Sequence, residues 1–385
     1  MSTPLPPRVA SGLDDCLSGL KKQKHTTGTV ARLPATISTS ERLLAENTKK
    51  VMSLRVGIIG AGQIVEDAHL PVLKAIEGAT VTWIADIDKA RSDLLSRMYH
   101  VRSIDASDIS RAIADIDVCL IAIPLGARRD YIERCAETGV ALYAEKPFAR
   151  TVEEHGRYCR LFPEYKLAAG FQRRLYHTTH IIREIIAGQY FSKLNRVAYS
   201  IGQYSVKSGG ATKFVTDPVL SGGGFVIESA IHGLDQILLA TGADDITVES
   251  AGAVVFNNID YQVTTLAALT ASDHKVSVEC EMTRLRNLRQ EFDYHFDNAT
   301  VSFGLAPASP LAVTGVDRSA QVTLKLEIGS AGAPRDSAFS VNQAFYLFWS
   351  MFLQGIASKE TNITSASKSL LTTQWVEGIY RAILP

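Results

Sequence analysis

Two short stretches of this chain gather side chains that can move a proton or hold an oxyanion. The first is Glu145-Lys146-Pro147, which closes the apolar run Val140 to Ala144. A lysine ammonium at the carboxyl end of a buried strand can hydrogen-bond a ligand oxygen and stabilise negative charge developing there. The proline behind it biases the lysine backbone towards extended geometry and permits a cis peptide bond. The second is FVIESAIHGLDQILLA, which follows Ser221-Gly-Gly-Gly224. Its Glu228, His232 and Asp235 recur at i, i+4 and i+7, so all three share one helical face. A histidine with an ordinary pKa of about 6.5 suits proton transfer near neutrality, and a carboxylate one turn away can orient it. The glycines would let backbone approach a ligand closely. The same residues also read as a solvated polar stripe with a satisfied histidine, or as metal ligands, although no second ligand cluster accompanies them.

Those groups need a frame, and residues 54–86 supply its first part. Val56 to Ile59 is a buried β-branched strand running into Gly60-Ala-Gly62; a helix-compatible segment follows, then a strand, Thr80 to Ala85, that ends on Asp86. Gly60 permits a tight turn, Gly62 lets backbone amides approach a pyrophosphate, and the helix start adds positive partial charge. Asp86 can accept from a ribose hydroxyl and would repel a 2′-phosphate, which favours NAD; Arg91 lies near enough in sequence to keep NADP open. Val65 replaces a third glycine, so helix and strand are expected to pack slightly farther apart. His69, on the same helix, reads as packing more than chemistry.

From Leu54 to about Phe171 strand and helix alternate: strands at Val118–Ile123, Val140–Ala144 and Lys166–Phe171, helices at Ala127–Thr138 and Val152–Leu161. Continuous apolar strands between helices predict a doubly wound parallel sheet covered on both faces. A helix near Thr178–Ala187 follows. Strand candidates then succeed one another at Arg196–Tyr204, Thr247–Phe256, Val263–Thr270, Lys275–Thr283, Glu291–Phe303 and Ala320–Ile328, before helices at Val341–Ala357 and Ser365–Ala382. The fold expected is therefore α/β: a Rossmann domain over 54–172, then an α+β domain over 173–385 with a large, mostly antiparallel open sheet. A second copy covering the open face would make a homo-oligomer, a dimer or tetramer. Residues 1–53, rich in Pro, Lys, Ser and Thr, form an extension, with Ser38-x-x-Glu41 as a possible capping box.

Composition narrows the partners. Forty basic and forty acidic residues cancel, which argues against nucleic acid or anionic membranes as partners. Five cysteines without a Cys-x-x-Cys pair fit a reducing, cytoplasmic setting. No apolar run approaches the length of a membrane span. The clusters Arg128-Arg129, Arg173-Arg174 and Arg284-Leu-Arg286-x-x-Arg289 read as solvated edges before anion sites.

Taken together, GIIGAGQIVEDAHLP, Asp86, AIP before a helix, AEKPFARTVEE, GFQRR and SGGGFVIESAIHGLD resemble the glucose–fructose oxidoreductase / inositol dehydrogenase (Gfo/Idh/MocA) family from about Leu54 to the C-terminus. The resemblance implies an NAD(P)-dependent oxidoreductase of a sugar, sugar derivative or cyclitol. Lys146 would contact the reacting hydroxyl and His232 would be the general acid/base. Glu228 stands where many members carry an aspartate, and Arg128 where a histidine is common. Gly60, Gly62, Gln63, Ile64, Asp86, Pro124, Glu145 and Lys146 are expected along the cofactor; Lys146, Glu228, His232 and Asp235 are expected around the substrate, with Tyr204 and Lys213 as further polar candidates and no metal. Relatives of the fold include imine, tetrapyrrole and dihydrodiol enzymes and NAD-assisted glycosidases; a non-catalytic nucleotide-binding protein is the remaining alternative.

Overall fold

A computed structural model of the protein describes the backbone of residues 27–34, 53–204, 217–307, 309–315, 321–327 and 340–384. The expected Ser38 capping box and Lys213 lie outside the described residues.

The first sheet forms from short strands whose side chains are apolar on both faces. In chain order these are β2 (Leu54–Ile59), β3 (Ala79–Ala85), β4 (Arg102–Ser103), β5 (Val118–Ile121), β6 (Ala141–Ala144) and β7 (Leu167–Ala169). They pair in parallel in the order β4-β3-β2-β5-β6-β7. Every residue of β5, β6 and β7 is buried, as a sheet covered on both sides requires. The strand order reverses between β2 and β5, so the crevice beyond their carboxyl ends is the ligand position for this topology.

The second sheet has nine strands, ordered β1-β15-β14-β13-β12-β8-β11-β10-β9. They are β1 (Thr27–Pro34), β8 (Leu194–Gly202), β9 (Asp245–Phe256), β10 (Ile259–Ala271), β11 (His274–Thr283), β12 (Glu291–Phe296), β13 (Ala299–Gly304), β14 (Leu311–Gly315) and β15 (Gln321–Glu327). Most pairs are antiparallel; β1 with β15 and β8 with β11 are parallel. Alternation puts Val197, Tyr199, Val278, Cys280, Phe292 and Tyr294 beneath the helices His177–Ala187, Ile231–Thr241 and Leu370–Ile383. Ala198, Ser200, Thr264, Glu279, Glu281 and Asp293 line the opposite, shallowly concave face.

Three features depart from the sequence reading. The strand expected over Glu291–Phe303 is two, β12 and β13, joined at Asp297-Asn298 and paired antiparallel. The buried positions switch across that turn from Phe292, Tyr294 and Phe296 to Ala299, Val301 and Phe303, a one-residue break in phase that marks it. Thr27–Pro34, inside the expected appendage, adds a strand to the second sheet. The helix Val341–Ser358 buries Phe345, Phe348, Trp349 and Phe352 in one cluster with Val56, Ile58, Leu120 and Tyr143 of the first sheet. A Ser340–Gln343 capping box starts that helix. Among the described residues, no helix is long and apolar enough to cross a membrane.

Candidate active site

The glycine turn is shaped by its neighbours. Gly60 sits at φ +111°, and a Cβ there would lie 2.4 Å from the Ala122 carbonyl oxygen at the end of β5, so only glycine fits. Gly62 is exposed, and a Cβ on it would meet nothing within 4 Å. The crest of the turn thus opens onto free space where the first-turn amides of the following helix lack intrahelical partners. Asp86 ties the turn to β3: its carboxylate accepts from Ala61 N at 2.6 Å and Asp88 N at 2.8 Å. Arg91 donates to Ala61 O at 3.1 Å and pairs with Glu66 at 2.8 Å. Gln63 bonds Asp67, Ile64 is exposed, and Pro124 lies beyond β5 across the crevice. This arrangement fits a dinucleotide: open backbone amides for a diphosphate and a carboxylate at the next strand end.

Lys146 follows β6 at the same edge of the sheet, before a cis peptide bond to Pro147. Its Nζ donates to the backbone carbonyl of Glu228 in the second domain. Burial lowers its pKa to about 8; Arg173 and Arg128 lower it too, while Glu145 and Glu228 oppose the fall. Both oxygens of the Glu145 carboxylate are engaged by the protein. One oxygen lies 2.9 Å from His69 Nε2 and the other accepts from Lys146 N at 3.1 Å. Arg128 is buried rather than solvated. Its guanidinium donates to the carbonyls of Ile123 (2.7 Å), Glu145 and Pro147, clamping the backbone on both sides of the lysine. Burial lowers its pKa to about 10.

The second-domain helix begins with a π-helical turn, Val226–Ala230, and continues as Ile231–Thr241. Its start is pinned by the fully buried Asp260, which accepts from Gly224 N (2.7 Å), Val226 N (2.9 Å) and Tyr380 Oη (2.6 Å). A Cβ on Gly223 would lie 2.1 Å from Tyr380 Oη, and one on Gly224 would lie 2.1 Å from the Asp260 carbonyl oxygen. These two glycines therefore admit the close approach of Tyr380 and Asp260. Asp260 and Tyr380 escaped the sequence reading because neither has a local partner to mark it.

His232 is buried with its ring edge on Phe171 (centroids 6.1 Å apart) and its Nδ1 without a protein partner. Burial, then the charges of Arg173 and Lys146, push its pKa well below the ordinary histidine value. Glu228 pairs with Arg284, whose guanidinium lies over the rings of Phe225 and Tyr261 at 5.7 Å each. Asp235 parts company with the other two. Arg174 grips its carboxylate through Nε (2.8 Å) and Nη2 (2.6 Å), and Thr372 adds a bond at 2.7 Å. Lys146, Glu228 and His232 thus lie together where the two domains touch, while Asp235 lies in a buried ion pair. Among the described residues, no three His, Cys, Asp or Glu side chains are grouped to hold a metal ion. Gln172, just beyond β7, was also missed; it is buried with an unpartnered Oε1.

Residues 54–171 match the model of an oxidoreductase family described by its NAD-binding Rossmann fold. Residues 54–171 thus belong to the glucose–fructose oxidoreductase / inositol dehydrogenase family. Among its relatives, inositol 2-dehydrogenase of Rhizobium meliloti (strain 1021) is 25% identical over 260 residues, which cover 65% of this chain and 76% of that one. Solved structures of the same architecture include the 3-ketoreductase KijD10 from Actinomadura kijaniata with NADP and TDP-benzene (TM-score 0.70, 17% identity, 86% of this chain and 98% of that one). Levoglucosan dehydrogenase with NADH and levoglucosan superposes with TM-score 0.72 at 18% identity, over 86% of this chain and 97% of that one. With that match and those relatives, the chain is an oxidoreductase whose residues 54–171 form a nicotinamide-dinucleotide domain.

Proposed function

We propose that this protein transfers a hydride between a nicotinamide dinucleotide and a secondary hydroxyl or ketone of a sugar, sugar derivative or cyclitol. The observation that carries the reading is the Lys146 Nζ bond to the Glu228 carbonyl, one helical turn before His232. It brings an ammonium and a neutral imidazole, one from each domain, to the mouth of the parallel sheet. In oxidation, His232 takes the hydroxyl proton and Lys146 holds the oxygen as negative charge builds on it. Bound cofactor supplies hydride acceptance and return. Glu228, held by Arg284, is the polar group placed for a further substrate hydroxyl; Asp235 supports the helix beneath. A panel of polyols and their ketones at about 1 mM, followed by absorbance of the reduced nicotinamide with each dinucleotide, tests the reading. Net reduction of NAD by a polyol supports it; sugar release without net NADH indicates a glycosidase instead, and dinucleotide binding without turnover indicates a non-catalytic role.

NAD is the proposed physiological partner. Asp86 places negative charge at the end of β3, and Arg91 is already engaged by Glu66 and Ala61. Wild type is expected to favour NAD over NADP by about tenfold or more in kcat/KM, and Asp86→Ser to narrow that ratio. An unchanged ratio in the variant would remove Asp86 from specificity.

The open face of the second sheet is proposed to pair with another copy of the chain, since its own helices cover only the other side. Light scattering of the purified protein is expected to give a multiple of 41.9 kDa. A monomeric mass at micromolar concentration would rule this out.

A further inference from the structure

Trp349 is remote from Lys146 in sequence, yet its indole Nε1 donates to His69 Nδ1 at 2.9 Å. An indole N–H can only donate, so Nδ1 is the acceptor and the neutral imidazole carries its proton on Nε2. That Nε2 lies 2.9 Å from Glu145 Oε1 and donates to it. The imidazole has little room to turn. Its ring makes edge contacts with Tyr143, Phe345 and Trp349 at centroid separations of 5.2, 4.9 and 5.9 Å. His69 and Trp349 are fully buried and Glu145 nearly so. On the far side, a Cβ at Gly170 would lie 2.9 Å from the Glu145 carboxylate, so the acid fills the space a side chain would need.

We propose that Trp349 and His69 are positioning residues for Lys146, acting through Glu145. The inference rests on the role given to Lys146 above. The indole selects the imidazole tautomer, the imidazole holds one carboxylate oxygen, and the other oxygen holds the lysine backbone N–H at 3.1 Å. A helix near the end of the chain thereby orients a group at the edge of the first sheet. Phenylalanine at position 349 keeps an aromatic ring beside His69 and Tyr143 but removes the indole N–H.

The charged and titratable groups acting on Lys146 are Glu145 and Arg128 from its own domain, Arg173 from the turn after β7, and Glu228 and His232 from the second-domain helix. Of these, Glu145 is the one that His69 holds. Its negative charge supports the ammonium, so a loosened carboxylate should let the lysine lose its proton at lower pH.

Reductive methylation of the cofactor-free protein across pH, with Lys146 followed by peptide mass spectrometry, reads that midpoint without turnover. Trp349→Phe and His69→Leu are expected to lower it by about half a unit or more. Activity on the best polyol should fall about tenfold in kcat, with KM within about twofold. His69→Gln, which can still donate to Glu145, should restore the midpoint. A folded Trp349→Phe protein with a wild-type midpoint and wild-type kcat would overturn the proposal, as would a loss of thermal stability with neither value changed. If His69→Leu does not fold, Trp349→Phe decides. The midpoint needs neither cofactor nor substrate, so failure here is distinguishable from failure of the proposed reaction.

Discussion

Replacing His232 by alanine is expected to lower kcat for polyol oxidation by roughly 10²–10⁴-fold, the usual loss when a proton-transfer group is removed. Lys146→Ala should cost roughly 10²–10³-fold, as for one donor to a developing oxyanion. The pH profiles separate the two. The pKa of His232 is pushed well below its ordinary value by burial, so the imidazole is already neutral and able to accept a proton at pH 7. Its limb of the kcat/KM profile falls on the acid side. Lys146, lowered to about 8, must stay protonated to hold the oxygen, so oxidation should decline as pH rises through that value. Steady-state rates between pH 5 and 10 would check this: His232→Ala should lose the acid limb and Lys146→Ala the basic one. Variants that turn over like wild type would show that neither residue has the role assigned to it.

Asp235→Ala should act on folding more than on substrate binding. Its carboxylate and the Arg174 guanidinium are both almost wholly buried, and Arg174 also donates to the carbonyls of Ile363 and Lys368. Removing the acid leaves a buried cation without its counter-ion, which costs about 3–5 kcal/mol. Urea unfolding should record a loss of that size. Replacing both partners with apolar residues should recover part of it, because the stranded charge is gone. The Arg174 guanidinium lies 5.4 Å from the centre of the Phe171 ring, which in turn contacts His232. A variant with wild-type unfolding but a raised KM for substrate would make Asp235 a binding residue instead.

Much of this architecture is legible in the sequence because its signals are local. Apolar runs bounded by turns mark β2, β5 and β6, and glycine with a strand-end acid marks the crevice beyond them. Lys146, Glu228 and His232 stand out as candidates because each belongs to a compact motif. The supports beneath them do not. Asp260 reaches Gly224 from 36 positions away, His69 reaches Glu145 across 76, and Trp349 reaches His69 across 280. No periodicity records such pairings. Asp235 shares a helical face with Glu228 and His232, but spacing could not say that the neighbouring turn, through Arg174, engages its carboxylate. Arg128 misled: beside Arg129 it reads as part of a charged edge, but the three carbonyls it meets belong to segments brought together only by the fold.

The helix Val341–Ser358 gives synthesis of this protein a particular order. Phe345, Phe348, Trp349 and Phe352 complete an apolar surface laid down by residues near the start of the first sheet. While the chain is still emerging from the ribosome, that surface stays bare until Phe352 has been translated. The dinucleotide half is therefore not a self-contained module that matures first. It reaches its finished interior only when that helix docks, which couples completion of the two halves.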